Sequence, residues 1–230
     1  MTPPEFDRIL RDSAMSQPGP DPSLIEAISR GIVPGIRPVR PMISSWRLSA
    51  VLVPGAVVLA LLVSLLVGQS GLRSLSGFQA TLIFGELAVL LWLASRALFA
   101  EMVPASARLT SPGRLATWTA LALTAVFLQL FPDRSTTDFV HRGLVCLTMG
   151  LLVAVPAGAL SALWLRRGVV LHPSAAGAAA GLMGALAGVF ALELHCPYLQ
   201  APHLLWHALV IPVASVAGAG ITRIRRPNGR

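Results

Sequence analysis

Lysine is missing from this 230-residue chain, and all 18 of its basic residues are arginine. That bias points to genome composition and to no particular function. Charge of either sign is scarce: charged residues make up 12% of the chain, against about a quarter in a soluble domain, which excludes an ordinary soluble globule. With two cysteines there is no disulfide scaffold, although one pair can form. The opening stretch MTPPEFDRILRDSAM carries acids and no apolar h-region, so it does not read as a cleaved signal peptide. No nucleophile–base pair, phosphate loop or paired carboxylates can be made out, and the chain reads as a non-enzyme.

What is present is apolar length. Hydrophobic residues make up 54% of the chain, and six stretches approach the ~20 residues that a helix needs to cross the hydrocarbon core. They run near 49–68, 79–100, 115–131, 143–165, 174–194 and 203–222. The expected fold is all-α: an integral membrane bundle of six transmembrane helices with a short cytoplasmic N-terminal tail. This divides the chain into a tail at 1–47, a six-helix domain at 48–222 and a basic C-terminal tail at 223–230. Trp46, Trp118, Trp164 and Trp206 fall near expected helix ends, where an amphipathic ring prefers to sit. With the N-terminus inside, fourteen arginines face the cytoplasm, while Arg73, Arg134 and Arg142 face outward. The positive-inside rule therefore puts both termini in the cytoplasm.

Within the fifth segment, PSAAGAAAGLMGALAG, Gly177 and Gly181 are four residues apart, as are Gly184 and Gly188. Each pair offers a face that a neighbouring helix can approach closely, the expectation being tight packing inside the bundle. Glu86 lies inside the second segment, where an acid either carries protons or ions, or sits protonated and hydrogen-bonded to a neighbouring Ser or Thr. Arg96 is too far along the same helix to pair with it.

The tail is polar and punctuated by proline. Thr2-Pro3-Pro4-Glu5 has the form of a capping box, after which Phe6, Ile9 and Leu10 share one helical face. Asp21-Pro22-Ser23, followed by Glu26, starts a second helix with Leu24, Ile25 and Ile28 as its apolar stripe. Helices of about ten residues are marginal alone. These two either dock on a partner protein, for which the acidic first half suits a basic surface, or belong to a disordered tail. The basic residues 27–47 suit anionic headgroups.

Ligand-type chemistry gathers at 191–207, ALELHCPYLQAPHLLWH, with Cys196, His195, His203 and His207. The expected topology puts this turn on the outer face, together with His141 and Cys146, in a compartment where thiols can oxidise. If the fourth and fifth helices pack as neighbours, the cysteines come within disulfide reach. They then form a structural bridge, a reversible switch or two soft metal ligands. His203 and His207 are four apart and share a helical face, as two metal ligands would. Cys146, Cys196, His195, His203 and His207 are the candidate metal-binding set.

Taken together, a tail ending in Pro38-Val39-Arg40, six membrane helices, and Cys146 followed fifty residues later by His195-Cys196-Pro197 resemble the NrsF-type group of membrane anti-sigma factors. The Trp206-His207 start to the last helix extends the resemblance, although the family often has an aromatic residue at the position of His207. The resemblance implies that the tail holds an extracytoplasmic-function sigma factor at the bacterial inner membrane, away from RNA polymerase. It further implies that the cysteines sense oxidative or heavy-metal stress and that the sigma factor is then freed. Carried onto this chain, sensing falls on Cys146 and Cys196. The tail motif is Pro38, Val39 and Arg40, and the sigma contact falls on the helices bearing Phe6, Ile9, Leu10, Leu24, Ile25 and Ile28. The partners implied are the sigma factor and the lipid bilayer, with no direct nucleic-acid contact. No resident cofactor is implied, a soft metal ion at the cysteine/histidine cluster being the one transient ligand. The competing reading is a small six-helix transporter using Glu86 as its coupling group and the outer cluster for cation entry. Against it, the helices show no evident repeat and one clear intramembrane acid.

Overall fold

A computed structural model describes residues 12, 21–23, 26–27, 30, 44–104, 106, 110–136, 138–197 and 200–224. The chain forms two compact units, Met1–Pro41 and Met42–Arg230. In the first unit, Pro22, Ser23, Glu26, Ala27 and Arg30 are helical, as the Asp-Pro-Ser start signal predicts. The Ser23 amide donates to the Asp21 carboxylate (2.9 Å) and holds that carboxyl below its usual range. Phe6, Ile9, Leu10, Leu24, Ile25, Ile28, Pro38, Val39 and Arg40 lie outside the described residues.

From Ser44 onward the described residues form seven helices and no strand. They are α1 (Ser45–Val67), α2 (Ser70–Ser74), α3 (Gly77–Met102), α4 (Pro112–Leu130), α5 (Phe139–Leu165), α6 (Pro173–His195) and α7 (Ala201–Ile224). All but α2 are long and apolar enough to cross a membrane. Several begin ahead of the apolar stretch because a polar cap precedes it. Ser44 accepts from the Arg47 amide at the start of α1 (3.4 Å). Ser76 and Gln79 form a reciprocal capping box before α3, and Ser111 with Pro112 opens α4. Pro54, Pro156 and Pro212 sit inside α1, α5 and α7, which neighbouring helices in a membrane bundle tolerate.

The centre of the bundle is α6. It packs most extensively against α7 and α5, and also meets α3, α1, α4 and α2. Its glycines explain how. A Cβ on Gly177 would meet the Gly218 carbonyl, and one on Gly181 the Ala214 carbonyl, both on α7. On the other side, Gly184 faces the Ala154 carbonyl and Gly188 the Gly150 carbonyl, both on α5. The two pairs therefore serve two different neighbours, with backbone against backbone on each side. The expected tight packing is present.

The helix ends are cross-tied at both faces of the bundle. At one face, Arg96 donates to Ser45 Oγ (2.6 Å), the Val169 amide to the Met102 carbonyl (3.0 Å) and Thr222 Oγ1 to the Pro173 carbonyl (2.8 Å). The other face joins the Ala201 amide to the Asp133 carbonyl (3.0 Å) and Gln79 to the Leu130 carbonyl (3.2 Å). Both cysteines belong to this second face. Glu86 Oε2 has no hydrogen-bond partner among the described residues.

Candidate functional site

Three helix ends build the site. Cys146 is two turns into α5, on its buried side. Cys196 follows the last residue of α6 as its C-cap, with its amide donating to the Leu192 carbonyl (2.7 Å). His207 lies two turns into α7 and is fully buried. The small residues of α6 bring these helices close enough for the side chains to meet.

The two sulfurs are 3.5 Å apart, and both cysteines are free and buried. A disulfide needs about 2.05 Å, so the pair is a facing dithiol. The contact with Cys146, and then burial, push the Cys196 thiol up from its ordinary range. It therefore rests as S–H, and a thiolate forms there only when something takes the proton.

Behind the sulfurs lies a buried polar pair. His207 Nδ1 donates to Glu193 Oε1 at 2.6 Å, the His207 side chain being 0% and the Glu193 side chain 2% exposed. Phe127 presents an edge-on ring at 6.5 Å and helps to fix the imidazole plane. One ring nitrogen of His207 and the two sulfurs all lie within 4.8 Å of one another.

The other candidate histidines are placed elsewhere. His195 Nδ1 donates to the Gly68 carbonyl (3.0 Å) on the exposed rim. His203 packs edge-on against Phe139 (6.1 Å). The i, i+4 spacing does put His203 and His207 on neighbouring turns, yet it is His207 alone that reaches the sulfurs. An open cleft of about 450 Å³ leads to the cysteines, lined by Asp138, His141, Arg142, His195, Cys146 and Cys196 among others. Arg142 and Asp138 pair across its rim at 2.9 Å.

The short helix α2, absent from the sequence reading, clasps the end of α6. Ser70 Oγ donates to the His195 carbonyl (2.6 Å). A Cβ at Gly71 would stand 2.6 Å from the Glu193 carbonyl oxygen and 2.8 Å from that of Cys196, so only glycine allows this approach. Gly68 turns the chain into the clasp at φ 119°. A Gly–X–X–Gly spacing just after a membrane segment is the signal that marks this loop.

Compared with known proteins, residues 32–225 match the model of one family, NrsF, described as negative regulator of sigma F. The matched span takes in Pro38-Val39-Arg40, the six long helices and both cysteines, and leaves residues 1–31 outside. No curated protein and no solved structure matches the chain.

Proposed function

The chain belongs to the NrsF family of negative regulators of sigma F, and from that membership we propose a membrane anti-sigma factor with a thiol sensor at one face. A sigma factor is its partner. In this reading the partner is of the extracytoplasmic-function type, held at the bacterial inner membrane by the tail at 1–47. The fourteen-to-three arginine asymmetry supports cytoplasmic termini, with the cysteine face in the oxidising compartment.

The observation that carries the sensor reading is the buried dithiol, 3.5 Å between sulfurs, at the mouth of an open cleft. Oxidation would remove two electrons and two protons, passed to the oxidant, and draw the sulfurs together to about 2.05 Å. That pulls α5 toward the cap of α6. Because α6 touches α5 and α7 through backbone, little soft side-chain material is available to absorb the displacement. Release follows only if the two bundle states differ in affinity for the sigma factor; a difference of ~3 kcal/mol weakens binding more than a hundredfold.

The transporter reading draws no comparable support, since the matched family is one of negative regulators. The tail assignment is tested by co-purifying the sigma factor with the full-length chain. Ile28→Asp places a charge in an apolar contact worth roughly 1.5–3 kcal/mol, so retention should fall at least tenfold. If Ile9→Asp and Ile28→Asp both retain the sigma factor, the contact lies on the inner loops instead.

A further inference from the structure

We propose that Cys146, Cys196 and His207 form a three-ligand site for one soft divalent cation of the zinc or cadmium class, with Glu193 orienting the histidine. Metal–sulfur bonds of about 2.3 Å in a tetrahedral site set the two sulfurs about 3.8 Å apart. The observed 3.5 Å is close to that spacing and far from a disulfide bond. Little movement would bring the two sulfurs onto one tetrahedral centre.

The third ligand is supplied by the buried imidazole. Glu193 accepts from Nδ1, which fixes the tautomer and leaves the Nε2 lone pair for the metal. Nε2 is buried on the side of the sulfurs, with the Cys196 thiol as its neighbour, and a metal held by both cysteines would take over that contact. A carboxylate behind a ligating histidine is the usual supporting arrangement at such centres. The open cleft reaches both cysteines and gives an ion a way in.

Charge and chemistry select the cation. Binding displaces the two thiol protons and forms two metal–thiolate bonds, so the dication is neutralised where it is buried and no electron is transferred. Thiolate and imidazole ligands favour soft or borderline ions over calcium and magnesium. This inference deepens the sensor reading by naming its third ligand, but binding is measured separately from sigma release, and either can fail alone.

The test uses the reduced full-length chain in detergent, with Co²⁺ as spectroscopic probe and Zn²⁺ and Cd²⁺ as competitors. One equivalent should bind with tetrahedral d–d bands and sulfur-to-metal charge transfer. X-ray absorption of the wild-type zinc form should show two sulfurs at about 2.3 Å and an imidazole nitrogen at about 2.0–2.1 Å. Glu193→Gln should weaken binding ~10–100-fold, His207→Ala should weaken it at least as much, and His203→Ala should leave it unchanged. A wild-type shell without imidazole overturns the proposal, as does wild-type affinity in His207→Ala or the absence of binding. The wild-type absorption decides the question even if His207→Ala does not fold.

Discussion

Helices α1 and α6 are each 23 residues long and uninterrupted by charge over most of their length, yet they occupy opposite environments. In α1, 17% of the most apolar window is buried within the protein; in α6 the share is 89%. The more apolar helix is the peripheral one. Leu62, Leu65 and Leu66 of α1 face outward, where lipid tails solvate a leucine as well as another helix would. Alanine and glycine instead let α6 enter the centre, because they allow neighbouring backbones to touch. Hydropathy thus shows which segments cross, and side-chain size shows which one the others surround. The consequence reaches the site, since Glu193 and Cys196 sit on the last turn and cap of the central helix.

The sharpest way to break this contrast is to give α6 the side chains of α1. Gly184→Leu would push a branched chain into the Ala154 carbonyl and the Gly158 backbone, neither of which can rotate away. Overpacking typically costs 1–3 kcal/mol and can cost more against rigid backbone. Loss of the folded bundle in detergent thermal melts is the expected outcome. A wild-type melt would show that α6 is not the packing centre.

A smaller effect is expected at the clasp. Gly71→Ala places a methyl against the Glu193 and Cys196 carbonyls, so α2 must lift by a fraction of an ångström. Stability should fall by about 1 kcal/mol, read as a lower midpoint in detergent thermal melts. An unchanged melt would mean that α2 is not held against the end of α6.

The smallest effect belongs to α1. Leu62→Ala removes a side chain that is 54% exposed, and stability should change by less than ~0.5 kcal/mol. A loss of several kcal/mol would place a protein contact on that face and erase the contrast with α6.

These contrasts show what was legible in the residues and why the rest was not. The six spans were readable to within a few residues, because twenty apolar positions make a strong pattern, and polar caps at Ser44, Ser76 and Ser111 account for the earlier starts of α1, α3 and α4. Five-residue α2 was not, since a single turn of helix has no periodicity to read. The Gly177/Gly181 and Gly184/Gly188 pairs announced close packing, but their two different neighbours follow from α6 being flanked on both sides, a fact of topology. The cysteines were found from their spacing and from the His-Cys-Pro turn. Which histidine joins them was hidden, because His203 and His207 share a spacing class while their depth along α7 decides the contact. The pairing of Glu193 with His207 was hidden for the same reason.

The central claim is that the facing thiols control retention of the sigma factor, and it is tested directly in membranes carrying the full-length chain with its bound partner. Sigma factor retained is measured before and after treatment with an oxidant or a soft metal ion, in wild type, Cys146→Ser and Cys196→Ser. Release from wild type and none from either serine variant, with all three proteins equally present in the membrane, is the predicted result. Release from both variants at the wild-type level would contradict the claim and leave the pair 3.5 Å apart without a role in signalling.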